Sequence, residues 1–290
     1  MNFKLNIKNE YSALKTVVIG IAGDRGDIEY DNNPKISKYL QQGNIPNVYE
    51  LTRQVDNFAE KVAQAGVQVL RPENVPNQDQ IFTRDIAFVI GDTIIKSNMK
   101  KDNRRAELEG IKKIFDNIPP QKILTVPHNA TIEGGDVIIH NKYIFVGLSA
   151  RTNYQGFDFI KQNFPEFEVI PLQLYVSDNA ETNVLHLDCT FQPVGSKYAI
   201  LYENGFVHYP DELMDIFGTN NIIKANKNDL YNMNSNIFSI SPELVVSDLY
   251  FSRINKILNN KDIETIEIDY QKVSRLGGLF RCSTLPLERE

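Results

Sequence analysis

A single supersecondary unit recurs along this chain, and a chain built that way has few folds open to it. Four segments share one order: a short polar motif, an apolar run, a turn and a second apolar run. They are FTRD-IAFVI-GD-TIIKSN from Phe82, EGGD-VIIH-NK-YIFVGL from Glu133, HLDC-TFQPV-GSK-YAILY from His186 and NSN-IFSI-SPE-LVVSD from Asn234. The apolar runs are rich in Ile, Val, Phe and Tyr and are joined by Gly, Asn, Asp, Ser or Pro, so each pair is predicted to be a β-hairpin.

Amphipathic helical patterns separate the hairpins. The clearest are LTRQVDNFAEKVAQAG from Leu51, RRAELEGIKKIF from Arg104 and NYQGFDFIKQNF from Asn153, with apolar residues three and four apart. A short strand follows each helix, as in VQVLRP, KILTVP, FEVIPL, NIIKAN and IETIEID. The unit is therefore ββαβ, and its polar motif returns about every 50 residues, a spacing typical of stacked or radially arranged units. A fifth motif, GGLFRCSTLPLE from Gly277, has one strand before the chain ends, while YSALKTVVIG near the N-terminus is a strand with no motif ahead of it. The two ends are expected to meet and complete a fifth unit, closing a ring with all five motifs around one axis. An open α+β sheet with coincidental spacing is the alternative. No linker or low-complexity segment divides the chain, so residues 1–290 are read as a single domain. The Asp- and Asn-rich stretch from Gly23 to Pro46 is read as a surface loop able to cover one face.

Apolar residues make up 42% and charged residues 23% of the 290, enough for a core and far from the composition of disordered chains. The net charge of -6 and a pI near 5.4 argue against a nucleic-acid partner, which needs a clustered basic face. The longest basic run passes from Lys96 through Lys100, Lys101, Arg104 and Arg105 to Lys112 and Lys113. Asp102, Glu107 and Glu109 interrupt it, and most of it reads as a solvated helix face. No stretch approaches the roughly 18 to 20 apolar residues of a membrane span, and MNFKLNIKNEYS lacks a secretory core, so no membrane partner and a cytoplasmic location are expected. Two cysteines, Cys189 and Cys282, are too few for a disulfide scaffold or a four-thiolate zinc site. A homo-oligomer is left open.

Together the motifs bring Asp85, Glu133, Asp136, His186, Asp188, Asn236 and Cys282 to the expected axis. A thiol, an imidazole and several carboxylates that are distant in sequence and adjacent in the fold are the pattern of covalent catalysis. The thiolate is the nucleophile, so Cys282 needs positive charge nearby. Gly277 and Gly278 permit close backbone approach; Arg281 supplies charge if it points inward, although an arginine here is expected to be exposed. A cationic substrate would serve the same end. Cys189 is read as a buried small apolar residue, and His128, His140 and His208 as surface residues. Strand alternation in HLD puts His186 and Asp188 on one face, a proton carrier beside a carboxylate; taken alone, His186 is equally a satisfied core histidine. One histidine with several acids can also hold a hard or borderline cation. Against a metal, FTRD, EGGD and HLD are spread singly over different units, and no HxxxH or HxH spacing occurs. A guanidinium, planar and with paired N–H donors, is the other partner that several acids can grip.

These residues resemble those of the guanidino-group modifying enzymes: arginine deiminases, dimethylarginine dimethylaminohydrolases and glycine amidinotransferases. The likeness covers nearly the whole chain, from KNEYSALKTVVIG to RCSTLPLE. FTRD at Phe82 to Asp85 and IEGGDV at Ile132 to Val137 resemble the arginine deiminase pattern, VGLSARTN at Val146 to Asn153 is similar to the dimethylargininase segment, and LHLDCTF at Leu185 to Phe191 resembles the HLD or HID motif of deiminases and amidinotransferases. The resemblance implies an α/β fold, the five-bladed αβ-propeller or pentein, built from ββαβ units with pseudo-fivefold symmetry. It also implies Cys282 as nucleophile, His186 as acid–base residue, and Asp85, Glu133 and Asp188 as acids around the guanidinium, with Glu133 counted among the catalytic groups. Arg151 and Arg104 would hold the substrate's α-carboxylate, Asp136 would be structural, and Arg84 would have no catalytic role. No metal and no cofactor are implied. Many members carry His before the cysteine where Arg281 stands, dimethylargininases lack the acid that Asp188 supplies, and the chain lacks the helical insertion of the larger deiminases.

The expected function is a hydrolase acting on the guanidinium carbon of arginine or an N-substituted arginine, yielding a ureido product and ammonia or an amine. The rival is amidinotransfer, in which an acceptor amine replaces water. A non-catalytic arginine-binding or scaffold protein has no need of the thiol, and a papain-like peptidase is disfavoured because the acids would repel an oxyanion.

Overall fold

Gly91 and Asn141 adopt positive φ, 58° and 55°, between apolar runs, the backbone geometry that tight hairpin turns demand. The computed structural model describes residues 3–26 and 33–290. In it these turns join strands Ala87–Ile90 to Thr93–Lys96 and Val137–His140 to Tyr143–Leu148. Phe191–Val194 pairs likewise with Tyr198–Leu201, and Phe238–Ser241 with Leu244–Asp248. All four hairpins are antiparallel. A third strand adds parallel to each: Ile123–Thr125, Glu168–Gln173, Ile222–Lys224 and Glu264–Ile268. A parallel neighbour requires a crossover connection, and the intervening helices, such as Tyr154–Asn163 and Ser252–Asn259, provide it.

The chain ends do meet. Thr284–Arg289 pairs antiparallel with Leu14–Ile19, which takes Gln68–Leu70 as its parallel neighbour. Among the described residues this makes five three-stranded sheets of one layout. Each polar motif lies immediately ahead of a sheet's first strand, and successive motifs touch. Gly134 packs so closely on the first motif that a Cβ there would lie 2.1 Å from the Arg84 carbonyl oxygen; Leu187 N–H donates to Asp136 Oδ1 (2.9 Å), and Asn236 Nδ2 to the Asp188 carbonyl (3.3 Å). Cys282 N–H donates to Asn236 Oδ1 (3.1 Å), and Arg84 N–H to the Cys282 carbonyl (3.0 Å), returning to the first unit.

Helix Val48–Gln64 opens with a capping box between Asn47 and Glu50 and buries Leu51, Val55, Phe58, Ala59 and Val62 along one face. Its Phe58 meets Phe280 (5.1 Å between centroids) and Tyr270 (5.5 Å), and its Gln54 accepts the N–H groups of Lys272 and Val273. These contacts anchor the segment that carries Cys282. Two local expectations change. RRAELEGIKKIF is 3-10 helix over Asp102–Ile111 with one α-turn, Lys112–Phe115, because the tighter winding turns Arg104 and Glu107 inward as an ion pair. The stretch from Gly23 to Pro46 contains a helix, Pro34–Gln41, started by the Asn33 side chain and a Pro at its first position; residues 27–32 lie outside the described residues. Among the described residues no helix is long and apolar enough to cross a membrane.

His140 is a further correction: it is 7% exposed, not a surface residue, and its ring lies between Tyr11 and Phe217. The strand that carries it is buried on both faces. His128 and His208 are exposed, as expected. Burial pushes the His140 pKa down from 6.5 to about 4. Above pH 6.5 the ring is neutral folded or unfolded; between about 6.5 and 4 only the unfolded chain binds the proton, so stability falls with pH through that window. At 1.36 kcal/mol per unit the total loss is about 3 kcal/mol. Urea unfolding of His140→Phe at pH 7 and pH 4.5 should show a smaller drop than the parent, and equal drops would contradict this burial cost.

Candidate active site

The motif side chains gather at a cavity of about 500 Å³ whose walls include Phe82, Asp85, Arg151, His186, Gly278 and Cys282. Gly278 is required there, since a Cβ on it would lie 2.2 Å from the Phe82 ring. Glu133 and Asp188, each 0% exposed, stand behind the wall.

His186 is 1% exposed. Its Nε2 lies 2.9 Å from Glu133 Oε2 and its Nδ1 3.7 Å from Asp85 Oδ1. Burial alone would make the ring less basic, but Asp85, Asp136 and Glu133 outweigh it and raise the pKa to about 9. Glu133 shows the counterpart: burial raises its pKa, yet the bond and charge of His186, with Arg151 and Arg104, bring it down to about 2. The pair is imidazolium and carboxylate at neutral pH. Glu133 is held further by Lys100 N–H and by its own N–H donating to Thr152 Oγ1. Asp85 Oδ2 accepts from Arg104 Nη1 (2.8 Å), while its Oδ1 is buried without a hydrogen-bond partner among the described residues. A buried acceptor left unpaired is costly, and this one is in a cavity wall.

Cys282 is 3% exposed; Asn236 Nδ2 donates to its Sγ (3.2 Å), and the Asp188 oxygens lie 3.6 and 3.8 Å away. Burial, then the charges of Asp188, Cys189 and Asp85, push its pKa well up. These surroundings hold the group as a thiol. Positive charge must arrive before it becomes a nucleophile. Arg281, expected to be exposed, is fully buried instead, pairing with Asp188 Oδ2 (2.9 Å) and with both oxygens of Glu10.

The structure thus unites Cys282, His186, Glu133, Asp85 and Asp188. HLD does so by different geometry than expected: His186 precedes a 3-10 turn, Leu187–Cys189, and the strand begins only at Phe191. Arg151 is buried in the wall with Nη1 3.5 Å from Glu133 Oε2. Arg104 also lines the cavity, but its Nε and Nη2 bind Glu107 and its Nη1 binds Asp85. The basic run is therefore not wholly a solvated face, since Lys101 lines the cavity too; burial, with Arg151 and Arg104, lowers the Lys101 pKa to about 8. Asp136, expected to bond backbone in its own turn, instead accepts from Leu187 N–H of the next motif and from Ser149 Oγ. Arg84 donates to the Arg281 carbonyl and Thr284 Oγ1, and Cys189 is buried as expected. Asn236, Glu10 and Glu107 are the groups to which the motif pattern gave no role. One ligand atom each of Asp85, Glu133 and His186 lie within 4.8 Å of one another, a spacing a metal ion can bridge, but an imidazolium offers no lone pair until it loses the proton these acids hold.

A thiol, a histidine–carboxylate pair and an acid with an unpaired oxygen surround one cavity on five three-stranded sheets, and the chain is a member of the guanidino-group modifying pentein superfamily, as its relatives show. The chain is 18% identical to the amidinotransferase SxtG from Microseira wollei, with a TM-score of 0.79 and 99% of this chain and 97% of that one covered, which shows the shared fold. In sequence it is 30% identical to the uncharacterized protein YkgA of Bacillus subtilis (strain 168) over 87% of this chain and 85% of that protein. It is 26% identical to arginine deiminase of Streptococcus agalactiae over 74% of this chain, and the match spans only 62% of the deiminase. Residues 29–289 match the family described as N,N dimethylarginine dimethylhydrolase, eukaryotic, and the chain belongs to that family.

Proposed function

We propose that this protein is a single-domain, closed five-bladed αβ-propeller that hydrolyses the guanidinium group of arginine or an N-substituted arginine through a covalent bond to Cys282. The observation that carries the reading is the free Asp85 oxygen beside the imidazolium of His186, in the wall that also holds the Cys282 sulfur. A carbonyl substrate has no use for an acid lining, whereas a guanidinium satisfies it through paired, charge-assisted hydrogen bonds. The motif contacts running through all five units support the closed ring.

The substrate's positive charge offsets the acids that suppress the thiolate, so the thiol gives up its proton to solvent when the cation is bound and the nucleophile forms. The sulfur then bonds to the guanidinium carbon. The C–N bond breaks with its electron pair on the departing nitrogen, which takes a proton from His186; Nδ1, the ring nitrogen not engaged by Glu133, faces the acid wall and is the donor. An amidino-thioether cation remains. Water adds to its carbon and gives a proton to His186; the C–S bond breaks with its electrons returning to sulfur, and the protonated ureido group left behind releases its proton to the thiolate, restoring the thiol. Asp85, Glu133 and Asp188 orient and neutralise the cation, which supplies positioning and electrostatic stabilisation. Arg151 and Arg104 are the cations placed to meet a substrate carboxylate, Arg104 by releasing a bond to Glu107.

Incubation with arginine alone, and with N-methylated arginine alone, is expected to yield a ureido product and ammonia or methylated amine in equal amounts. Turnover that appears only when glycine or ornithine is added, with an amidino group transferred, would replace hydrolysis by amidinotransfer. No consumption under either condition would leave an arginine-binding protein.

A further inference from the structure

Among the buried guanidinium groups that the mechanism leaves unused, that of Arg281 stands next to the nucleophile and is 0% exposed. Its donors divide between two carboxylates. Nε and Nη2 grip the oxygens of Glu10 (3.2 and 2.9 Å), Nη2 also donates to the Val137 carbonyl (2.7 Å), and Nη1 donates to Asp188 Oδ2 (2.9 Å). Both Asp188 oxygens face Sγ of Cys282, the Arg281-bound Oδ2 at 3.6 Å and Oδ1 at 3.8 Å. A two-edged fork of this kind is available to arginine and not to lysine.

We propose that Arg281, clamped by Glu10, is a positioning residue that fixes the Asp188 carboxylate against Cys282 Sγ and cancels its charge, so that a thiolate is tolerated there. The inference rests on Cys282 being the nucleophile. Without Arg281, the Asp188 carboxylate would face a sulfur that must itself become an anion with no cation hydrogen-bonded to it among the described residues, while Glu10 would keep only Arg84 and Arg289. The charged groups packed around Arg281 are Glu10, Asp188, Arg84 and Arg289. Three arginines against two carboxylates leave one positive charge in this layer. Facing Cys282 from the other elements are Asp188, Cys189 and Asp85, with Tyr270 and the uncharged Asn236 alongside. Burial raises the Glu10 pKa, but Arg281 and Arg84 overcome it and hold the group at about 2, so the clamp stays charged at any working pH.

The test is the rate at which iodoacetamide alkylates Cys282 in the full chain, followed by peptide mass so that Cys189 is scored separately. Below the midpoint the rate follows the thiolate fraction, so a shift of one pKa unit reads as about tenfold. Arg281→Met is expected to slow alkylation by about tenfold or more at pH 8. Glu10→Gln removes one of the two anions that compete for Arg281 and is expected to accelerate it. A merely structural role would move both variants in the same direction, because both loosen the same contacts. Rates that move together, or do not move, in variants with cooperative unfolding overturn the proposal. If Arg281→Met does not fold, the sign for Glu10→Gln decides: faster supports the proposal, and slower or unchanged overturns it. Failure of the underlying reading looks different, since Cys282→Ser would then keep its turnover whatever these rates do.

Discussion

Cys282→Ser should lose turnover by at least about 10⁴-fold, the scale seen when a covalent nucleophile is removed, while binding the guanidino substrate within a few-fold of the parent. The size of the loss follows from the state of His186. With the pKa of that ring raised to about 9 it carries its proton at neutral pH and is no base for a serine hydroxyl. Cysteine is less dependent on a base, because an incoming cation offsets Asp188 and Asp85 and lets the thiol ionise; a hydroxyl lies too many pKa units away for the same help to matter. Binding is expected to survive because the Asp85 oxygen offered to the cation and the His186–Glu133 pair behind it are unchanged. Ureido-product formation measures the first quantity and calorimetric titration the second. A serine variant within tenfold of the parent would move the nucleophile to another group. A complementary outcome is rapid labelling of Cys282 by a haloacetamidine, whose cationic amidine fits the acid wall, with Cys189 left unlabelled.

The hairpins were legible because their signals are local. Apolar runs of strand length with Asn or Gly at the turn leave little choice, and Gly91 and Asn141 take the positive φ that the turns require. That the two ends pair was legible because the last motif lacked a second strand and the first strand lacked a motif, and Leu14–Ile19 does pair with Thr284–Arg289. What stayed hidden depends on partners remote in sequence. Arg281 looks solvent-facing until Glu10, 271 residues away, is brought against it. His140 looks polar in a hairpin until Phe217, on another unit, packs over its ring. HLD resembles the start of a strand by alternation, but the backbone turns there so that Leu187 N–H can meet Asp136 of the neighbouring unit. Residue types named the chemistry; which acids are free and which are already paired is a property of the assembled site. Arg104 is the clearest case, a candidate ligand for substrate whose donors bind Glu107 and Asp85.

His186→Gln should slow turnover by about 10²- to 10⁴-fold, the usual worth of a positioned acid–base group, and the loss should fall on release of the first product. Glutamine keeps a hydrogen bond to Glu133 but has no proton to give the departing nitrogen. In the parent, three acids hold that proton on the ring to about pH 9, so the proton-donating form is fully present through neutrality and is lost as pH rises through about 9. The kcat profile should therefore decline on its alkaline side near that value. Glu133→Gln removes one of the charges that stabilise the imidazolium, leaves burial to act in the opposite direction, and should bring the alkaline limb down by about one unit or more. The charge also works in the other direction, since the imidazolium keeps the Glu133 pKa near 2; losing either partner strands the other in a buried site, and both variants should unfold more easily than the parent. Single-turnover measurement of ammonia or amine release across pH 6 to 10 separates the two effects. If the alkaline limb stays in place when Glu133 loses its charge, the proton given to the departing nitrogen does not come from His186.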